Sequence, residues 1–193
     1  MPTGVSIRDV RAQLFSAADR ILLRDGPSAL TSRSVTTEAG CAKGVLHKHF
    51  DDFDAFLAEY VLDRVERMDA QAATLRERVG TGTVADNLTG GLISLFESVA
   101  VAVVALVTYR DELRTRLRDA WPAGVPVLTE GAIMLGAYLA AEQRLGRIAA
   151  DADVETLAAM LIGTTHMLYA DRATPPQALA VRKIVTTLVR SEP

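Results

Sequence analysis

Cysteine is nearly absent from this sequence, with Cys41 standing alone among 193 residues. A single thiol closes no disulfide within the chain, which excludes a disulfide-stapled scaffold, and a chain of this length can bury a core without one. Long hydrophobic runs are missing too: the longest charge-free stretches, 98–109 and 156–170, fall short of the roughly 20 residues that span a bilayer. The first residues lack the apolar run of a signal peptide. We therefore expect a soluble, cytoplasmic protein that does not contact membranes.

Aromatic residues are also scarce, at 5% of the sequence, whereas 49% is hydrophobic and consists chiefly of alanine, leucine and valine. This composition favours helices over sheets. The formal net charge of -3 argues against a protein that coats nucleic acid through bulk electrostatics. The first fifty residues differ from this average, because seven basic residues face four acidic ones there. The N-terminal part is therefore locally basic.

Apolar residues recur every three or four positions along most of the chain, the spacing of one helix face. The first helix is predicted from Ile7 to Arg24, with Ser6 as its cap and Asp9 as an imperfect capping-box partner. A short second helix is predicted from Thr31 or Ser32 to a glycine, Gly40, and a third begins two residues later. Further helices are predicted at 53–79, capped by Asp51 or Asp52, and at about 84–106, 108–120, 125–147, 153–170 and 175–190.

The glycine-rich stretch GTGT at 80–83 interrupts this pattern and marks the predicted domain boundary. The sequence thus predicts an all-α protein with a small three-helix N-terminal unit over 1–50. A connecting fourth helix over 51–79 leads to a larger helical bundle over 84–193.

The stretch EAGCAKGVLHKHF at 38–50 concentrates unusual residues. At 100° per residue, Leu46 and Phe50 share one side and predict a narrow buried stripe, while His47 and His49 flank it and Lys48 lies on the far face. A short helix that follows another helix and a tight glycine turn is the arrangement of a helix-turn-helix, whose second helix enters the major groove of DNA.

Two residues of this stretch look unfavourable for stability alone. Gly44 inside a helix costs about 1 kcal/mol relative to alanine, and Lys43 places a cation at the positive end of the helix dipole. Both choices suit a first turn that lies close to phosphates. Two other interpretations stay open: a metal site built from Cys41, His47 and His49, whose spacing is not a usual zinc pattern, and a merely structural helix with solvated lysines.

Residues 30–61, LTSRSVTTEAGCAKGVLHKHFDDFDAFLAEYV, resemble the N-terminal signature of the TetR-type transcriptional regulators. That signature is a helix started by threonine, then A-G-[VI]-[SA]-x-G-x-[LF]-Y-x-[HY]-F, then a long helix. The C-terminal part is similar in layout, and its GRIAADADVETLAAMLIG stretch is of the kind that often opens the dimer-forming helix pair. The sequence departs from the family pattern at Ala42, at His47 and in the acidic DDFD after Phe50, where a serine, a tyrosine and a lysine are frequent.

The resemblance implies a homodimeric repressor that binds a palindromic operator in double-stranded DNA through an N-terminal helix-turn-helix domain. It further implies a C-terminal ligand-binding and dimerisation domain, in which a small molecule binds and releases the DNA. Leu46 and Phe50 would be core residues. By position, the residues that would contact DNA are Thr31, Arg33, Ala42, Lys43, Gly44, Val45, His47, Lys48 and His49.

The C-terminal part shows no catalytic triad, phosphate loop or metal-spaced cluster, so we expect neither an enzyme, a metal nor a cofactor. A largely apolar effector is expected there because alanine, valine and methionine dominate. The candidate lining residues are Phe96, Tyr109, Trp121, Met134, Tyr138 and His166, each of which also fits an ordinary core. The faces predicted to pair across a twofold axis carry Leu157, Met160, Leu161, Thr164, Leu179, Ile184 and Leu188. A helical dimer that binds a small molecule or a protein without useful DNA affinity is the alternative, suggested by Ala42 and DDFD.

Overall fold

The computed structural model describes residues 7–122, 124–170 and 176–189, and the helices lie close to their predicted positions. In chain order they are α1 (Ile7–Arg24), α2 (Ser32–Glu38), α3 (Val45–His49), α4 (Phe53–Glu77), α5 (Val84–Phe96), α6 (Ala100–Tyr109), α7 (Asp111–Leu117), α8 (Pro126–Arg144), α9 (Val154–Tyr169) and α10 (Ala178–Leu188). No strand occurs among these described ranges, so the predicted all-α class is confirmed.

The bounds of α1 are confirmed, while its predicted cap, Ser6, and the side chain of Asp9 lie outside the described residues. Thr31 caps α2, because its Oγ1 accepts the backbone N–H of Ser34 at 3.1 Å. The Ser34 hydroxyl accepts the Thr31 N–H in return, which completes a capping box without a glutamate. Gly40 ends this turn at φ 66°, the left-handed conformation that the sequence predicts.

The long helix α4 begins with the predicted aspartate cap, since Asp52 Oδ1 accepts the N–H of Ala55 at 2.7 Å. Five of the few aromatic residues gather around this first half of α4. They form a chain of ring contacts with centroids 5.1 to 6.3 Å apart, made by Phe15, Phe50, Phe53, Phe56 and Tyr60. These contacts bring α1, the end of α3 and α4 into one core.

The single helix predicted over 84–106 is wrong, because the chain breaks into α5 and α6 at residues 97–99. Ser98 explains the break: its hydroxyl donates to the carbonyl of Leu95 and accepts the N–H of Ala100 at 3.2 Å. A serine side chain that takes up backbone groups in this way competes with the helical ladder. The predicted start of α10 at 175 lies outside the described residues, and the helix begins at Ala178.

The chain forms two compact units. One unit comprises Met1–Asp63 and Ala102–Ala123, and the other comprises Arg64–Val101 and Gly124–Pro193. Helix α4 runs from the first unit into the second. The first unit therefore includes most of α6 and all of α7, which the sequence assigned to the C-terminal bundle.

Within the second unit, α8 packs closely on α5 and α9 at Gly131. A Cβ atom there would lie 2.9 Å from Ile162 Cδ1 and 3.0 Å from Leu95 Cδ2, closer than such atoms normally approach. The absence of a side chain thus permits the contact. In the described ranges, no single helix has the length and hydropathy of a membrane span, although α5 and α6 taken together meet those criteria across their bend.

Candidate nucleic-acid interface and C-terminal clefts

Helix α3 packs onto the core through the two residues that the helical periodicity predicts to be buried. Leu46 is fully buried and Phe50 nearly so, which confirms that stripe. At the C-terminal end of α3, Arg11 Nη1 donates to the carbonyl of His49 at 3.2 Å. The guanidinium carbon of Arg11 lies 4.5 Å from the centroid of the Phe50 ring. A cation at the C-terminal carbonyls of a helix is favourable for its dipole. Arg11 thus orients α3, a role that no motif in the sequence signals.

Helix α2 is attached to α1 by ion pairs to one carboxylate. Arg20 Nε lies 2.7 Å from Glu38 Oε1, and Arg24 Nη1 lies 3.1 Å from Glu38 Oε2. Hydrogen bonds from Arg20 and then Arg24 hold the pKa of Glu38 below its usual range, despite some desolvation. Gln13 adds a bond from Nε2 to the carbonyl of Ala39 at 2.7 Å. The angle between α2 and α3 is therefore set by α1.

These contacts divide the basic side chains that the structure describes in the N-terminal part into two groups. Three arginines of α1 form ion pairs within the first unit: Arg11 pairs with Glu59, and both Arg20 and Arg24 pair with Glu38. In contrast, three cations are exposed and form no ion pair with any residue in the described ranges: Arg33, Lys43 and Lys48. All three are among the residues predicted to contact DNA. The locally positive charge is thereby concentrated at the start of α2 and around α3.

The start of α3 differs from the prediction. The helix begins at Val45, so Gly44 is its N-cap with φ -80° and Lys43 lies in the preceding turn. Gly44 therefore carries no cost of an interior helical glycine, and the prediction that it destabilises α3 is wrong. What remains is its open surroundings, because a Cβ at Gly44 would meet nothing within 4 Å. The backbone at this turn is accessible to a large partner.

The nine predicted DNA-contact residues lie together on α2, the turn and α3. Seven of them are exposed, whereas Val45 and His49 are half-buried. Thr31 Oγ1 already serves the capping box, which leaves its hydroxyl partly engaged. Among the described residues, no group of three or more His, Cys, Asp or Glu side chains is placed to hold a metal ion.

The predicted ligand-lining residues are divided between the two compact units. Tyr109 is 86% exposed and lies, like the half-buried Trp121, in the first unit. In the second unit, Phe96 approaches His166 with ring centroids 6.1 Å apart, and burial lowers the pKa of His166. Tyr138 is fully buried, and its hydroxyl accepts a hydrogen bond from Asn87.

Of the predicted lining residues, Met134 borders open space. It lines a cleft of about 170 Å³ together with Gln71, Thr74, Arg78 and Ser94, and a smaller one of about 90 Å³ beside Met68 and Ile133. The larger cleft is mainly apolar but carries polar groups of α4 and α5 at its rim. Gly90 and Gly91 on α5 leave room for it, since they present no side chain.

A buried polar network in the second unit escapes sequence reasoning. Glu142 on α8 is fully buried; its Oε1 accepts the N–H of Gly80 at 3.1 Å, and its Oε2 lies 3.0 Å from Arg147 Nη1. Tyr138 accepts from Asn87 Nδ2 at 3.0 Å. Burial, and next the neighbouring carboxylate of Glu142, raise the pKa of Tyr138 well above its usual value. The network ties the turn after α4 to α8.

The whole architecture, an N-terminal helix-turn-helix followed by a helical bundle, is that of the TetR-family transcriptional regulators. A solved TetR-family regulator from Agrobacterium tumefaciens has a TM-score of 0.72 at 12% identity, with 95% of this chain and 97% of that chain covered. Salmonella enterica GusR has a TM-score of 0.68 at 20% identity, covering 93% and 95%.

A third similar structure is FadR from Bacillus subtilis in complex with stearoyl-CoA, with a TM-score of 0.65 at 18% identity and coverage of 92% and 97%. The sequence itself matches no protein-family model and no curated protein. These likenesses therefore show that the chain has the TetR-family fold.

Proposed function

We propose that this protein is a cytoplasmic, homodimeric transcriptional repressor that binds a palindromic operator and leaves it when a small, largely apolar effector binds the C-terminal bundle. It acts as a DNA-binding regulator and not as an enzyme. The observation that carries the proposal is the exposed set of Arg33, Lys43 and Lys48, left without ion pairs to the described residues while the other described arginines of α1 pair internally. Free cations beside an open backbone turn suit phosphate contacts.

The geometry of α3 supports a division of labour between the two lysines. Lys43 lies in the turn before the helix, where a side chain meets the DNA backbone, whereas Lys48 is exposed on the helix itself. A lysine on the groove-facing side of a recognition helix contacts base edges, with guanine as the preferred base. We assign phosphate contact to Lys43 and base contact to Lys48.

Helices α9 and α10 provide the proposed dimer surface. Met160 and Met167 on α9 are 45% and 77% exposed, and Leu179 on α10 is 72% exposed. Such large apolar side chains in water favour a partner surface. The predicted interface needs one correction: Leu161 is fully buried inside the unit and is unavailable to a partner. In the proposed dimer, twofold symmetry gives the operator two half-sites, one for each copy of α3.

The effector is proposed to bind in the cleft beside Met134; its volume of about 170 Å³ is below the roughly 300 Å³ of common ligand pockets, so a compact effector is expected. Leu75 and Met134 offer it apolar contacts, and Gln71, Thr74 and Ser94 supply a few polar ones. FadR from Bacillus subtilis, solved with stearoyl-CoA, is a protein of the same fold that holds an acyl ligand. Because α4 contributes to this cleft and continues into the N-terminal unit, it is the proposed connection between effector and DNA.

The test is an in vitro selection of random duplexes by the purified full-length protein at moderate salt. The proposal predicts enrichment of a roughly palindromic motif with half-sites about one helical turn apart. A folded, dimeric protein that enriches no motif contradicts the proposal and favours the alternative of a helical dimer without DNA affinity.

A further inference from the structure

The acidic stretch DDFD, which departs from the family pattern, is paired with α7. Asp54 Oδ1 accepts from both Nη2 and Nε of Arg110, at 2.9 and 3.1 Å, and Asp52 pairs with Arg116. The guanidinium carbon of Arg110 also lies 5.5 Å from the centroid of the Phe53 ring. All of these residues belong to the first compact unit. The two acids and the two arginines form what we call the α4–α7 clasp.

The clasp lies next to the proposed DNA surface. Asp52 follows His49, the last residue of α3, by three positions, and Asp54 is in the first turn of α4. Charges in water interact appreciably within the Debye length, about 10 Å at 0.1 M salt. Unpaired carboxylates here therefore repel the phosphates that Lys43 attracts.

Fold stability explains only part of the clasp, because Arg110 and Asp54 are 35% and 24% exposed but the other pair is more exposed. The side chains of Arg116 and Asp52 are 42% and 49% exposed, and ion pairs at such exposure add little to stability. Asp52 already has a structural role as the α4 cap, which asparagine also fills. The backbone bond from Ala55, and less strongly the charge of Arg116, lower the pKa of Asp52, so it is ionised at neutral pH. Arg116 thus faces a negative charge at neutral pH.

We propose that Arg110, which caps the start of α7, and Arg116 within α7 are positioning residues for DNA binding, which neutralise Asp54 and Asp52 so that the surface around α3 keeps its positive field. This inference rests on the proposed DNA-binding function. It gives α7, outside the helix-turn-helix in the sequence, a defined share in DNA affinity. It also explains how this chain tolerates acids where the family pattern often has a lysine.

The magnitude follows from Coulomb's law. One carboxylate about 10 Å from one phosphate in water costs on the order of twofold in affinity. A dimer without the arginines exposes four such carboxylates, so the loss is about threefold to tenfold after screening by salt. It should shrink as the salt concentration rises.

The experiment measures affinity for the selected duplex, and for an unrelated duplex, with three forms of the full-length protein. R110Q/R116Q is expected to bind both duplexes about threefold to tenfold more weakly than wild type. D52N/D54N, which keeps the cap, is expected to bind at least as tightly as wild type. The combination of all four substitutions should return affinity to within about twofold of wild type, because no unpaired acid remains.

R114Q is the matched control, because Arg114 lies on the same helix but pairs with Asp111 of that helix at 2.8 Å. It should weaken binding less than R110Q/R116Q does, because the Asp111 that it leaves unpaired is 91% exposed to water and lies on α7, whereas Asp52 lies three residues from α3. Circular dichroism and sedimentation must show each variant folded and dimeric. Equal affinities for R110Q/R116Q and R114Q overturn the inference, and so does a loss that the asparagines do not rescue, since the arginines would then contact DNA directly. If wild type selects no duplex at all, the proposed function itself fails before any substitution is compared.

Discussion

Replacing Glu142 with alanine should destabilise the second unit strongly. The side chain is fully buried, and its carboxylate is bonded to the N–H of Gly80 and paired with Arg147. Removing one partner of a buried ion pair typically costs 3–5 kcal/mol, because the other charge is left uncompensated. The Arg147 side chain is 28% exposed and regains some water, so the lower end, about 3 kcal/mol, is expected. That is a large part of a typical stability of about 5–15 kcal/mol.

The assay is urea unfolding at pH 7 and fixed protein concentration, since a dimer's apparent stability depends on concentration. E66A is the matched control, because Glu66 is an exposed glutamate in the middle of α4, and it should change the unfolding free energy by no more than about 0.5 kcal/mol. E142M/R147M should lose less than E142A, as both charges are then absent. A loss below about 1 kcal/mol for E142A would refute the assigned role of the buried carboxylate.

Three further predictions concern α3 and α9. L46A should lower the unfolding free energy by about 2–5 kcal/mol, since Leu46 is fully buried, and an unchanged urea midpoint contradicts this packing. K43A should weaken all duplexes about equally, whereas K48A should relax base preference at one position of each half-site; equal, sequence-independent losses for both refute that division. Because burial lowers the pKa of His166, stability should fall as pH drops below about 6.5, and this part of the pH dependence should disappear in H166Q. Urea midpoints between pH 5 and 8 that vary identically in both proteins rule this out.

Local patterns in the sequence account for the helical fold and for the buried side of α3. The wheel identifies Leu46 and Phe50, and short-range rules find the caps at Thr31 and Asp52, because these features depend on residues within a few positions. The break after α5 does not follow from the sequence, because the sequence alone does not show that Ser98 bonds to backbone groups and so interrupts the helix.

Long-range pairings could not be predicted from the chain alone. The partners Asp54 and Arg110 are 56 residues apart, and Gly80 and Glu142 are 62 apart, so no spacing rule connects them. The pairing of DDFD with Arg110 and Arg116 therefore has no signal in the sequence. The same limit applies to the effector site, where the large side chains proposed as lining lie in two different units.

The salt dependence of binding to the selected duplex tests the central claim most directly. If Arg33 and Lys43 of both protomers neutralise phosphates, about four contacts give a slope of log K against log salt of about -3.6. Losing Lys43 should reduce that slope by about two, one for each protomer. A steep slope that K43A reduces is the predicted result. A flat slope, measured with folded and dimeric protein, would contradict the proposal that this surface binds the DNA backbone.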